Sequence, residues 1–397
     1  MNKLLQNINN FALLLFVFGV NFEYWDPFGL QGVFSIAKMT AIVYFASWIP
    51  FLEKVKLKPL GYFLTPLLGY LFVEFLSSVI NNEYATSILS TFNLNIVQLL
   101  LLLILITNHI YSNPKILNWI LYVFISNVVL LSILSSQGIG VEIGYTAESR
   151  LIMFGENPNS IGMKAAFALV MLLYFIFNSK GLWAKFALGM LIVPILSMLM
   201  ATASRGALLS VFVGLGVMIM IKRASSSRKI LLFIVGISAS TWLLNYVMTS
   251  NELFAERMDR FIEEGHTGRN EIWDAAYNII QDNFIIGVGR PGALPVMQQY
   301  YGQAMDPHNV FLYVFITTGV VGFLFFMTFI YRLGYRLFKH FRKTNNVLYL
   351  VLFAILIFIM SKAGGFINKT FLWFFFALLI GSTFNVPNNK RIKNVNT

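Results

Sequence analysis

The sequence predicts an all-α, polytopic integral membrane protein of about 12 transmembrane helices, with one large extracytoplasmic loop containing short helices. Three observations lead there. Of the 397 residues, 57% are hydrophobic and only 12% charged, too apolar for an ordinary soluble domain. Apolar runs of about 20 residues recur along the chain, the length that crosses a hydrocarbon core roughly 30 Å thick. The basic residues collect in alternate loops.

In chain order the runs lie at about 5–22, 29–51, 61–80, 92–111, 116–134, 160–178, 182–201, 207–221, 229–248, 309–331, 347–366 and 370–386. The shortest, Ala207 to Ile221, is accommodated by tilt or by half-buried ends. The first run is followed by others of the same kind and reads as a membrane helix, not a removed signal peptide. Four regions follow. Residues 1–134 hold helices 1–5, and 135–248 hold helices 6–9 with outer turns around Arg150 and Arg205. Residues 249–308 form the large outer loop, and 309–397 hold helices 10–12 with a basic tail.

Orientation comes from charge. The loops "EKVKLK" (53–58), "SNPK" (112–115), "NSKGLWAK" (178–185), "KRASSSRK" (222–229), "YRLGYRLFKHFRK" (331–343) and "NKRIK" (389–393) fall on one side. The opposite loops "NFEYWDPF" (21–28) and "NNEYATS" (81–87) contain no Lys or Arg. Cytoplasmic loops are the basic ones, so both termini are expected inside. The net charge of +12 is then a topology signal and not the footprint of a nucleic-acid binder. With no cysteine, there is no disulfide framework, thiolate zinc site or cysteine nucleophile.

Two outer segments depart from the charge rule. The loop around 135–159 contains Arg150, and the segment 249–308 contains Arg257, Arg260, Arg269, Arg290 and His308. The second is too long to be a connector alone. Within it, "NEIWDAAYNIIQD" (270–282) spaces Ile272, Trp273, Ala276, Tyr277 and Ile280 as a helix lying across the bundle. Function is expected on this outer face.

Several residues there carry chemistry, each beside a plainer reading. Arg205, in "ATASRGALLS", either snorkels from a helix end or clamps an anion with its guanidinium fork, its small neighbours leaving room for a bulky ligand. Lys38 lies roughly 14 Å inside the second span at ~1.5 Å per residue. A lysine so deep costs at least ~2.5 kcal/mol, so it needs either a partner, for which Glu74 is the candidate, or a place in a site. Lys164 and Lys362 lie near outer helix ends, where snorkelling is the default. "GVGRPG" (287–292) lacks the G-K-[ST] of a phosphate loop and reads as a turn. Asp306 and His308 are two potential metal ligands, but no compact cluster supplies the third and fourth. His308 itself either helps Asn309 cap the tenth span or serves as a base, since imidazole takes a proton near neutral pH. No metal and no cofactor are implied.

Together these residues resemble the O-antigen ligase and polymerase superfamily. "SRLIMFGENPNSIG" (149–162) resembles its Arg…Gly…Asn-Pro-Asn segment, with Arg150 and Asn159. "ASRGALL" resembles its Ser-Arg-Gly segment, with the ligase-type Arg-x3-Leu spacing at Arg205 to Leu209. Arg269, Trp273, Gly287 and Gly289 fit its Arg-x3-Trp…Gly-x-Gly stretch, and His308 to Gly319 fits His-Asn-x9-Gly. The first 130 or so residues match only in general character.

The resemblance implies a GT-C-like arrangement of the helices and an inverting, metal-independent glycosyltransferase of the bacterial cytoplasmic (inner) membrane, its active site on the periplasmic or outer face. Its donor would be a glycan on polyprenyl (undecaprenyl) pyrophosphate, and its acceptor a sugar hydroxyl on a glycan or lipid A-core. Membrane lipids and other polysaccharide assembly proteins would be its further partners. His308, Arg205 and Arg269 would be catalytic, with Arg150, Asn159, Lys38 and Arg290 binding substrate. Polymerases often carry Arg-x10-Gly in two arginine-rich outer loops. Neither Arg150 nor Arg269 has a glycine eleven residues on, which tilts the expectation towards ligase over polymerase. A flippase centred on Lys38 and Glu74 is the reading from another class. It lacks a visible repeat between the two halves.

Overall fold

The computed structural model describes residues 3–29, 34–85, 93–142, 150–221, 269–363 and 365–385, with isolated positions between 238 and 259. The ninth expected run, most of the first part of the large loop (with Arg257, Arg260 and His266) and the basic tail lie outside the described residues. What is described is an all-α polytopic membrane protein. By length and composition, eight described helical stretches can cross a membrane, Leu182–Ala201 counted as one, and three shorter apolar helices accompany them.

The helices are α1 (Lys3–Val20), α2 (Ile36–Trp48, continued by a 3-10 turn over Ile49–Lys54), α3 (Gly61–Ile80), α4 (Leu94–Ser112) and α5 (Ile116–Ser136). A two-residue hairpin pairs β1 (Val141–Glu142) with β2 (Ile152–Met153). Then come α6 (Pro158–Asn178), α7 (Leu182–Met190), α8 (Ile192–Ala201) and α9 (Arg205–Ile221). The outer segment folds as α10 (Asn270–Asp282) and α11 (Gly289–Tyr301), before α12 (Val310–Thr344), α13 (Leu348–Met360) and α14 (Thr370–Ser382).

Local chemistry explains the boundaries. Asparagine caps open α4, α6 and α12: Asn93 accepts from Ile96 N, Asn157 from Ser160 N, and Asn309 from Phe311 N. The run expected as one span over 182–201 is divided at Leu191, because Pro194 has no amide hydrogen and sits in the first turn of a new helix. Helix α14 is apolar on every face and is buried from Phe371 to Ser382, so it forms the centre of the bundle. Helix α12 covers 35 residues in two helical parts joined at Gly319, the second of which, 320–344, is about 37 Å long at ~1.5 Å per residue. It carries the basic stretch 331–343 beyond a hydrocarbon core of roughly 30 Å.

One end of the bundle gathers the loops expected to lie outside. Thr370 N donates to Glu23 (2.7 Å), and Asn81 Nδ2 donates to the Gly287 carbonyl (3.1 Å). Lys164, expected to snorkel, is instead 2% exposed and paired with Glu156, its ammonium also donating to the Asn21 carbonyl at 3.0 Å. Its ammonium meets these partners before it reaches the interface, so the stem has no reason to extend.

Helix α10 forms over the stretch that its spacing predicts, burying Ile272, Ala276 and Ile280. Trp273 is half-buried and Tyr277, expected on the same face, is exposed. The loop after α10 laces into a break in α12. Gly319 adopts φ 59 and ψ −167 there. Val320 N then donates to Phe284 O at 2.8 Å, and Val288 N to Ile316 O at 2.9 Å. A Cβ on Gly319 would stand 2.3 Å from the Ile285 carbonyl oxygen, and one on Gly287 2.4 Å from that of Ile316. Of "GVGRPG" (287–292), expected to be a turn, Gly287 and Val288 form the bend that this close backbone approach requires, whereas Gly289 to Gly292 open α11.

Candidate active site

The "DPHN" turn is built from its own polar groups. The His308 amide donates to Asp306 Oδ1 (2.7 Å), while Asn309 caps α12. Capping is thus done by Asn309, and the imidazole is left for other work. His308 has φ 52, a left-handed conformation that costs a non-glycine residue energy. The turn is held there from outside. Trp273 Nε1 donates to the Pro307 carbonyl at 3.0 Å, fastening α10 to the residue before His308.

Arg269 and Lys362 complete this group. Arg269, at the start of α10, donates through Nη1 to the Lys362 carbonyl (3.0 Å), and the Lys362 ammonium lies 5.3 Å from the centre of the Trp273 ring. The imidazole is about half exposed, its Nδ1 3.9 Å from Asp306 Oδ1, beyond hydrogen-bonding range. Burial, and then the Arg269 charge, hold the His308 imidazole below its ordinary pKa. Burial lifts the Asp306 carboxyl to about 6 against the pull of the His308 amide. Near neutral pH the imidazole is neutral and able to accept a proton, which is the state a general base needs.

A second group surrounds Arg205. The three-residue turn Thr202–Ser204 is buried, with Ala203 at φ 45. Arg150 binds this turn through Nε to Thr202 O (3.0 Å) and reaches Asn159 Oδ1 through Nη2 (2.9 Å). Ser204 Oγ donates to the same Asn159 oxygen (3.1 Å). Arg150 and Asn159 thus shape the turn that presents Arg205, the half-buried first residue of α9. Beside it, a Cβ on Gly206 would meet nothing within 4 Å, so the backbone is open to a bulky ligand. The close approach of α6 needs Gly162, whose Cβ would stand 2.8 Å from that of Ala207.

These groups share one end of the bundle. Helix α9 packs on α13 through Gly214 against Ile355; Ser204 before α9 meets Asn159 at the start of α6, while Asn346 before α13 meets Tyr174 near the far end of α6, so α9 and α13 run in opposite senses. Arg205 begins α9 and Lys362 follows α13, which places both at the same end of that pair. Arg290 forms a third group. Its charge acts on Glu74 and on Tyr313, and Asp306 acts on Tyr313 as well.

The expected Lys38–Glu74 pair is not formed. Glu74 is 3% exposed, with Asn93 Nδ2 at 3.4 Å and 3.5 Å from its oxygens. Lys38 lies on an exposed face of α2, whose main neighbour is α1, away from α3. Among the described residues no group of three His, Asp or Glu side chains converges on a metal position. Sequence reasoning did not single out Lys362 for the site. Its partners Arg269 and Trp273 lie some 90 residues earlier, and only tertiary packing joins them.

No curated protein matches the chain. The family model for O-antigen ligase matches residues 190–327, a stretch containing Arg205, Arg269, Arg290 and His308 but not Arg150, Asn159 or Lys38. Over that third of the chain the sequence is similar to the O-antigen ligase family, and a bundle of apolar helices with a histidine and arginines gathered at one end accompanies the likeness.

Proposed function

We propose that the chain transfers a glycan from polyprenyl pyrophosphate to a sugar hydroxyl, as an O-antigen ligase, on the outer face of the bacterial cytoplasmic membrane. The observation that carries this reading is the neighbourhood of His308: a half-exposed imidazole beside the Arg269 guanidinium, on a turn fastened by Trp273. A base next to a fixed cation suits a reaction in which a hydroxyl loses a proton while a phosphate gains charge.

In the proposed step the acceptor oxygen attacks the anomeric carbon and its proton passes to the His308 imidazole. The bond from that carbon to the diphosphate oxygen breaks, and the electron pair leaves with the diphosphate. Arg205 and Arg269 stabilise that charge, and attack from the opposite face inverts the anomeric centre. Polyprenyl pyrophosphate is already a good leaving group, so charge stabilisation counts for more than protonation. Arg150 and Asn159 hold the Arg205 turn, and Arg290 lines the approach beside Tyr313.

Deletion of the gene tests the reading. Loss of anchored polymer with long carrier-linked chains accumulating is the ligase result. Single repeat units on the anchor would convert it to polymerase. Unaltered surface glycan would refute both.

A further inference from the structure

We infer that Trp273 is a positioning residue for the base: its indole N–H fixes the peptide unit that enters His308 and so sets where the imidazole points. The inference rests on the reading of His308 as the proton acceptor and names the tertiary contact on which that role depends.

The Pro307–His308 peptide is held at both of its polar atoms. Its N–H donates to Asp306 Oδ1 (2.7 Å), and its carbonyl oxygen accepts from Trp273 Nε1 (3.0 Å). A peptide unit is planar, so binding both atoms leaves it little freedom to rotate. That plane is one side of the His308 φ torsion, which stands at 52, and plane and torsion together direct the Cα–Cβ bond. The proline ring, which fixes its own φ, restricts the chain on the other side of the plane.

The two bonds differ in reach. Asp306 lies two residues before His308, so its bond travels with the turn wherever the turn goes. The indole belongs to α10 and refers the turn to another element. Helix α10 does not need this bond to stay in place. Ile272, Ile279, Val296, Leu312 and Ile316 form one buried apolar cluster that joins α10 to α11 and to the first part of α12. Apolar packing is non-directional and keeps the helices together, whereas a hydrogen bond also fixes the direction of its acceptor. A left-handed L-residue is strained, so without the indole the strain favours release of the turn. Arg269 lies one turn before Trp273, its carbonyl accepting from the Trp273 amide (2.9 Å), so one helix places both the base and the cation beside it.

The test measures turnover of carrier-linked glycan and binding of undecaprenyl pyrophosphate by the full-length protein in lipid nanodiscs. Trp273→Phe keeps an aromatic face for the Lys362 ammonium and removes the N–H. Turnover should fall up to ~10²-fold, the cost of a misplaced group, while undecaprenyl pyrophosphate binds as before. The acidic limb should move upward in pH, because a displaced imidazole loses the burial and the Arg269 charge that hold its pKa down. A variant that had only partly unfolded would lose activity without moving the limb. In His308→Gly supplied with free imidazole, Trp273→Phe should cost nothing further, because that base is not carried by the turn. Should Trp273→Phe fail to fold, Trp273→Met replaces it. The inference is overturned, with His308 still standing as the base, by wild-type turnover in Trp273→Phe or by an unmoved limb. Donor binding lost in step with turnover, or an equal loss in the imidazole-rescued protein, overturns it in the same way. Unimpaired turnover in His308→Gly removes the base itself, and the inference with it.

Discussion

Replacing His308 by glycine separates catalysis from architecture better than alanine does. The residue holds φ 52, and a left-handed L-residue costs roughly 1–2 kcal/mol that glycine does not pay. Against this, glycine adds about 0.4–1 kcal/mol of unfolded-state entropy. The cap is Asn309, so no capping bond is lost. His308→Gly should therefore be as stable as the parent or up to about 1 kcal/mol more so. His308→Asn, which tolerates the left-handed region, should also fold normally. Transfer should nevertheless fall ~10²–10⁴-fold in both, the usual contribution of a positioned base. The assay is conversion of carrier-linked glycan by purified protein, with thermal unfolding run in parallel and free imidazole added to the glycine variant. Partial rescue by imidazole is expected. The wild-type acidic limb should lie below the ordinary imidazole value of ~6.5, because burial and Arg269 favour the neutral ring. Removing that cation in Arg269→Gln should move the limb of the residual activity upward in pH. A stable glycine variant with near-wild-type turnover refutes the base, and a destabilised one refutes the account of the turn.

Three further outcomes are expected. Arg205→Lys keeps charge but loses the two-pronged fork, so it should stay strongly impaired, and Arg205→Ala should lose ~10²–10³ in turnover. Normal activity in well-expressed Arg205→Ala would leave snorkelling as the explanation. A cysteine at exposed Gln303 should react with an impermeant thiol reagent in intact cells, once the outer membrane is permeabilised where there is one. Labelling only after lysis of the cytoplasmic membrane would reverse the topology. Asp306 has its carboxyl raised to about 6 by burial, so the fold favours its neutral form. That stability is present below about pH 4 and is lost as pH rises through 6. Asp306→Asn keeps the acceptor for the His308 amide and should melt higher than wild type at pH 7 but not at pH 4. An equal difference at both values would show that titration of this carboxyl is not the cause.

Hydropathy by itself determined that this chain is a helical membrane protein, and charge set the expectation of which loops share a side. Both signals are local: a run of apolar residues must span the hydrocarbon, whatever it later packs against. The amphipathic spacing of 270–282 likewise predicted a helix across the bundle, since its apolar face has nowhere else to go. The short motifs around Arg205, Arg269 and His308 pointed to the O-antigen ligase family, which the match over 190–327 supports.

Only the tertiary structure decided what each polar side chain meets. Lys38 and Glu74 have comparable depths in sequence, yet they face different neighbours, because depth fixes height along a helix and not the direction around it. Lys164 and Lys362 look alike as basic residues near outer helix ends. One is buried against Glu156, and the other is carried to Arg269 and Trp273. The division of labour at "DPHN" is of the same kind. Asn309 takes the helix end, so the imidazole beside it is left to face Arg269, a residue that packing across the top of the bundle brings within reach.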